Sequence, residues 1–207
     1  MRTKLALTTH AILTILEIIA LVHDIHVFGI SMFSYYTIDS NILQMLVSAC
    51  ILYYLLKKGE EIIPTWLSAI HLICAVGLTI TFLIAAFVLA PQEGFAYYFL
   101  QNVAPINHFL APVLSVLSFL FLGMGKKLPK KAVFAPVVAT LLYGGIVLTL
   151  NAARVLDGPY FFLKVYETSP GTIAMWFGII AVLCGVLAEI YYCVSARFAC
   201  PRNAQLD

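Results

Sequence analysis

The stretch WLSAIHLICAVGLTITFLIAAFVL, from Trp66 to Leu89, runs for 24 residues without an aspartate, glutamate, lysine or arginine. A bilayer's hydrocarbon core is about 30 Å thick, and a helix rising ~1.5 Å per residue needs roughly 20 apolar residues to cross it. This stretch therefore predicts a membrane-spanning helix. Apolar windows of similar length recur on both sides, from Leu5 to Val27, Tyr35 to Leu56, Phe99 to Leu122, Ala132 to Ala153 and Thr172 to Val194. With no water to satisfy backbone groups in hydrocarbon, all six are expected as helices. Residues 1–207 then form a single all-α polytopic membrane bundle with no room for an extramembrane domain.

Composition points the same way. The chain is 62% hydrophobic and 11% charged, with a mean hydropathy of +0.98, so it has too little polar surface to coat a soluble globule. A formal net charge of +2, with no basic run interleaved with aromatics, excludes nucleic acid as a partner. Cys50, Cys74, Cys184, Cys193 and Cys200 show neither metal-ligand nor redox-motif spacing and read as small packing residues. Met1-Arg2-Thr3-Lys4 ahead of an apolar run has the form of a signal peptide. The run to Phe28 is long, however, and lacks a small-x-small cleavage site, so a retained helix is expected.

Between the spans stand sequences a buried helix would not tolerate. They are Lys57-Lys58-Gly59-Glu60-Glu61 with Pro64, then Pro91-Gln92-Glu93-Gly94, then Gly123 to Lys131, and finally Asp157-Gly158-Pro159 through Pro170-Gly171. The turn near Gly29 to Ser34 is the weakest of these breaks. Basic residues are split unevenly by these gaps. Arg2, Lys4, Lys57, Lys58, Lys126, Lys127, Lys130, Lys131, Arg197 and Arg202 fall on one side, and only Arg154 and Lys164 on the other. Lysine and arginine resist translocation, so both termini are expected in the cytoplasm, of a plasma membrane or a bacterial inner membrane.

Polar side chains inside the spans cost free energy unless they face partners or a wet cavity, which makes each a functional candidate. Thr37, Asn41, Gln44 and Ser48 recur at helical spacing with Asp39 and Ser40 beside them. Gln101, Pro105, His108, Pro112 and Ser115 do the same on the fourth span, flanked by Asn102 and Asn107, while Asn151 and Arg154 close the fifth. His10, Thr14, Glu17 and Asp24 share roughly one face of the first. For Thr14, Gln44, Ser48 and Ser115, interhelical hydrogen bonding is sufficient explanation. His71 and Glu189 read as structural ion-pair or interface positions. His23-x-x-His26 could share a metal with Asp24 nearby, but its place at the end of a span reads first as interface anchoring, and no metal is assigned. Thr37 and His108 differ from these. A hydroxyl and an imidazole at matching depth are the minimum pair for nucleophilic attack, although a core histidine satisfied by its neighbours fits the same spacing.

The segment Phe33-Ser34-Tyr35-Tyr36-Thr37-Ile38-Asp39-Ser40-Asn41-Ile42-Leu43 resembles the Phe-x-Tyr-Phe-Thr-x-x-Ser-Asn signature of the androgen-induced protein family, which includes the androgen-dependent TFPI-regulating protein. Asn107-His108-Phe109-Leu110-Ala111-Pro112 is similar to that family's His-x-x-x-Pro stretch. Tyr143 through Asn151, Arg154 and Asp157-Gly158-Pro159-Tyr160-Phe161-Phe162 resembles its closing region, with Gly158-Pro159-Tyr160-Phe161 where the family pattern has Tyr-Pro-Tyr. The matches run in order from Phe33 to about Val182. Animal members are multispanning threonine hydrolases of fatty-acid esters of hydroxy fatty acids.

The resemblance implies Thr37 as nucleophile and His108 as base, acting without a cofactor on a lipid-like ester delivered from membrane lipid. Candidates for the oxyanion or for substrate binding are Ser40, Asn41, Asn107, Asn151 and Arg154. Arg154 would meet a substrate carboxylate, or else pair with Asp39 or Glu17, which read as supporting polar groups. Two rival classes remain. A carrier or channel would use Glu17, Asp24, Asp39, His108 and Arg154 as a path, and a non-catalytic lipid-binding protein would use the same groups to hold its helices together.

Overall fold

The computed structural model describes residues 2–58, 63–122 and 127–198. Gly59, Glu60, Glu61, Gly123, Lys126, Cys200 and Arg202, which entered the reading of turns, cysteines and basic residues, lie outside the described residues. The architecture is an all-α polytopic bundle. Its elements are α1 (Arg2–Phe28), α2 (Tyr36–Lys58), α3 (Thr65–Ile84), α4 (Ala90–Glu93), α5 (Phe95–Phe99), α6 (Ala111–Phe121), α7 (Phe134–Ala152) and α8 (Pro170–Phe198). A 3-10 turn, Gly29–Ser34, joins α1 to α2, and Gly29 takes φ +55 there, a conformation open to glycine.

Five stretches are helical, long and apolar enough to cross a membrane: Thr3–Ser34, Tyr36–Lys57, Thr65–Glu93, Lys130–Ala152 and Pro170–Arg197. The expected fourth span differs. Its helical part is the shorter Ile106–Phe121, opened by a π-helical turn over Ile106–Leu110. Residues from Phe99 to Val103, expected at the start of that span, belong instead to the end of α5 and a turn. Short as it is, this helix covers the depth of its neighbours. Asn107 is bonded to Asp24 near one end of α1, and Leu122 packs with Ala6 and Leu55 near the other.

The bundle is apolar outside and partly polar inside, the reverse of a soluble protein. Ile12, Ile15, Ile19 and Val22 on α1, Val138, Leu142 and Ile146 on α7, and Ile179, Val182 and Val186 on α8 are exposed. His10, Glu17, Asp24, Asn41, Gln44, Ser48, His71, Asn107, Ser115 and Ser118 are buried. Antiparallel packing of α1 on α2 follows from paired contacts at both ends. Ala6 clusters with Val47, Ile51 and Leu55, whereas Phe28 meets the ring of Tyr35.

One end of the bundle gathers the described basic residues. Lys127 and Lys130 stand over the Tyr192 ring, and Lys130 pairs with Glu189, which gives Glu189 the structural role expected of it. Arg154 and Lys164 belong to the loop at the opposite end, which we call the outer end. That loop, between α7 and α8, folds back into the bundle. Phe162 and Leu163 are buried with Val147 and pack against Ile84, Tyr143, Trp176 and Phe177.

Candidate functional site

Thr37 is the second residue of α2, and its position is set by an orderly helix start. The carbonyl of Tyr35, which is extended at φ −96 and ψ 119, accepts from the N–H groups of Ile38 and Asp39, both at 3.1 Å. The N–H groups of Tyr36 and Thr37 precede that ladder and need a partner from elsewhere. The infolded loop brings the Tyr160 phenol oxygen toward both N–H groups and the Thr37 hydroxyl. Burial pushes that phenol up to about 12, with these donors pulling it back. Tyr160 is further fixed by stacking on Phe162 at 5.4 Å and an edge contact with Tyr35 at 6.5 Å.

Beside Thr37 opens a cleft enclosing about 590 Å³ of non-atom space, part of it open to the surroundings. Thr37, Tyr36, Thr81, Thr140, Tyr143 and Tyr160 supply its polar groups, and Ile80, Ile84, Leu89, Phe162, Phe177 and Ile180 supply apolar wall. Its polar rim is braced: the Tyr36 hydroxyl and Thr140 Oγ1 are 2.7 Å apart, and the Tyr143 hydroxyl donates to the Ser34 carbonyl at 2.5 Å. A Cβ on Gly77 would lie 2.9 Å from the Tyr36 hydroxyl, so the missing side chain makes room for the rim.

The loop depends on two residues. Asn151 donates from Nδ2 to the Leu156 carbonyl at 3.0 Å and accepts the Val165 N–H on Oδ1 at 2.8 Å. Its amide is therefore engaged in holding the loop. At Gly158 an added Cβ would sit 2.6 Å from the Leu163 carbonyl oxygen. Gly158→Ala is accordingly expected to lower the melting temperature in detergent by roughly 3–8 °C, because a backbone atom cannot step aside as a side-chain tip can. An unchanged melting curve would show that the turn has slack.

The other expected site residues fall as follows. Ser40 Oγ donates to the Thr37 carbonyl at 3.0 Å, and Asn41 Nδ2 donates to the same carbonyl at 2.9 Å and to the Asn107 carbonyl at 3.2 Å. Asn107 Nδ2 donates to Asp24 Oδ2 at 2.9 Å. His108 does not line the cleft. Its ring packs edge-on against Tyr98 at 5.4 Å and Phe99 at 6.1 Å, and its Nδ1 has no hydrogen-bond partner. Among the described residues no hydrogen bond joins it to Thr37. The two are linked only through Asn41, which joins the Thr37 carbonyl to the carbonyl of Asn107, the residue before His108.

Two pairings differ from expectation. Arg154 meets neither Asp39 nor Glu17; it takes φ +58 on the exposed loop and lays its guanidinium over the Tyr166 ring at 4.7 Å. The reason is that the loop folds inward through Tyr160 and Phe162, which leaves Arg154 on the outer surface while Glu17 is buried inside α1. Of the expected polar stripe on the fourth span, Asn107 and Ser115 face inward together with Ser118, while Gln101 and Asn102 are exposed. The π turn's i→i+5 bonding adds about one residue to that turn and shifts the phase.

A second polar feature, away from the cleft, runs through the middle of the bundle. Gln44 Nε2 donates to Ser48 Oγ at 2.8 Å, and Ser48 Oγ lies 3.2 Å from His10 Nδ1. Ser115 donates to Gln44 Oε1 at 2.5 Å, Ser118 donates to the Ser115 carbonyl at 2.8 Å, and His71 Nε2 lies 3.1 Å from Ser118 Oγ. The rings of His10 and His71 meet edge-on at 5.4 Å, closing a circuit. His23 Nδ1 lies 3.2 Å from Asp24 Oδ1, while His26 is exposed. Among the described residues no three His, Cys, Asp or Glu side chains are grouped to share a metal.

Compared with known proteins, the chain matches no family model, no curated protein and no solved structure. The family resemblance therefore stands on the motif residues alone. Of the residues now at the cleft, Tyr160 was visible within that motif but carried no role, because only the infolding of the loop brings it to Thr37.

Proposed function

We propose that this protein is an intramembrane hydrolase of lipid-like esters, with Thr37 as nucleophile and His108 as general base. The observation that carries the reading is the setting of Thr37: a hydroxyl on an apolar-walled cleft, beside two N–H groups of a helix N-terminus. Such N–H groups suit a developing oxyanion, since the helix dipole adds to their hydrogen bonds. They replace Ser40, Asn41 and Asn107 in the oxyanion role, because the donors of those three side chains are already engaged. The Tyr160 oxygen marks the place the substrate carbonyl oxygen takes as the loop yields.

In the reaction, Thr37 Oγ bonds to the ester carbon and its proton passes through an intervening water to His108, whose ring lies off the cleft. The tetrahedral intermediate collapses, the C–O bond to the alcohol breaks, and the alkoxide takes the proton back from His108. Water then adds to the acyl-threonine ester and releases the acid. The acyl chain lies along Ile80, Ile84, Phe177 and Ile180. The substrate class, fatty-acid esters of hydroxy fatty acids, comes from the resemblance to the androgen-induced protein family. A cytoplasmic basic end in a plasma or bacterial inner membrane belongs to the same proposal.

A fluorophosphonate or β-lactone probe bearing a long alkyl chain tests it. Mass spectrometry is expected to find one adduct on the peptide containing Thr37, lost in Thr37→Ala and strongly slowed in His108→Ala. Labelling that survives both substitutions removes the hydrolase reading.

A further inference from the structure

Three helical segments carry buried oxygens that the cleft does not use. Glu17 on α1 is 2% exposed, Asn41 on α2 is 3% exposed and Asn107 on the π turn before α6 is 5% exposed. Each carries one side-chain oxygen without a hydrogen-bond donor: Glu17 Oε1, Asn41 Oδ1 and Asn107 Oδ1. A buried acceptor left unpaired is destabilising, so three together need a cause. Reversing the amides does not relieve them. Asn41 Nδ2 already faces two carbonyls and Asn107 Nδ2 faces the Asp24 carboxylate, so each nitrogen is where an acceptor requires it.

These oxygens belong to one place. Asn41 is bonded to the Asn107 backbone, and the Asn107 side chain to Asp24. The antiparallel register that sets His10 opposite Ser48 sets Glu17, two turns outward on α1, opposite Asn41, two turns outward on α2. Glu17 and Asp24 lie two turns apart on one face of α1, and both are buried. Among the described residues no ion pair involves Glu17. The inner circuit of His10, Ser48, Gln44, Ser115, Ser118 and His71 is complete without it. Glu17 thus stands between that circuit and the outer network of Asn41, Asn107 and Asp24, with neither network satisfying it.

We infer that Glu17, Asn41 and Asn107 form an intramembrane site for a small monovalent metal cation of the sodium class, with Asp24 holding the Asn107 amide in place. Carboxylate and amide oxygens are hard donors, suited to hard cations and unlike the His and Cys sets that hold zinc or copper. Asp24 is already partnered by His23 and Asn107, so the cation meets Glu17 alone: as it enters, the Glu17 carboxyl gives up its proton, and one negative charge faces a single positive one. Leu13, one turn before Glu17 on α1, is fully buried, so Glu17 stands in close-packed interior, which favours a small ion over potassium. The bound cation would pair Glu17 and satisfy the amide oxygens, and so join the inner circuit to the outer network.

The test is thermal unfolding of the full-length detergent-solubilised protein in sodium, potassium or choline chloride at matched ionic strength, together with calorimetric titration of sodium chloride. Sodium is expected to raise the melting temperature saturably by roughly 5 °C over choline, as binding linkage requires. Glu17→Gln, nearly isosteric and neutral, should abolish the response, and Asn107→Ala should weaken sodium binding at least tenfold. An equal response to all three salts, or a saturable sodium shift persisting in Glu17→Gln, overturns the site. Should Glu17→Gln fail to fold, the titration of the wild type still decides, since the absence of saturable sodium heat also overturns it. Thr37→Ala should retain the full sodium response whether or not the hydrolase reading survives, so the two fail separately.

Discussion

Replacing Thr37 with alanine is expected to lower turnover of a long-chain ester by about 10³-fold or more while leaving the melting temperature within about 1 °C. The loss is large because the acyl-enzyme route needs an oxygen at that position, and a difference of 10³ corresponds to about 4 kcal/mol of transition-state stabilisation. Stability should hold because the helix start is preserved. The N–H groups of Tyr36 and Thr37 still meet Tyr160, and the Thr37 carbonyl still accepts from Ser40 and Asn41. Thr37→Ser keeps an oxygen and should retain part of the rate; Thr37→Val keeps the shape and should match alanine. His108→Ala should reduce the rate by about 10²–10³-fold, the range of a lost general base. Steady-state hydrolysis of a fluorogenic long-chain ester in micelles measures all four. If Thr37→Val turns over as well as the wild type, the cleft binds its occupant without covalent chemistry.

The spans were readable because hydrocarbon permits so few backbone solutions. A run such as Trp66 to Leu89, lacking charged residues, leaves helix as its only form. The face that α1 turns inward was readable for a related reason, since His10, Glu17 and Asp24 recur at sevenfold spacing and are buried together. The fourth span was less so. Pro105 and Pro112 flank a π turn whose extra residue changes which side chains face inward, and apolar content does not report hydrogen-bond register. Thr37 was legible as a candidate from its place in a motif. Its surroundings were not, because they come from residues more than a hundred positions away. Asp157-Gly158-Pro159 announces a turn, but nothing local to it says that Tyr160 and Phe162 will enter the bundle and leave Arg154 outside. That outcome depends on Asn151 and on the space between α3, α7 and α8.

Asn151→Asp is expected to be as damaging as Asn151→Ala, with each costing about 3 kcal/mol and lowering the melting temperature by roughly 6–12 °C. Asparagine is required here because one amide performs two opposite tasks: its nitrogen donates to the Leu156 carbonyl and its oxygen accepts from the Val165 N–H. Alanine leaves both backbone groups of the loop without a partner. Aspartate keeps the acceptor but sets a carboxylate oxygen against the Leu156 carbonyl, exchanging a hydrogen bond for repulsion at a position only 5% exposed. The effect should extend to Thr37. Once Leu156 and Val165 are released, the segment carrying Tyr160 loses its anchor, and the N–H groups of Tyr36 and Thr37 lose the oxygen that faces them. Hydrogen exchange should therefore quicken at the start of α2 as well as in the loop, though the two are far apart in sequence. Faster exchange confined to the loop would mean that Tyr160 holds its place through Phe162 and Trp176 alone, whose rings stack at 5.1 Å.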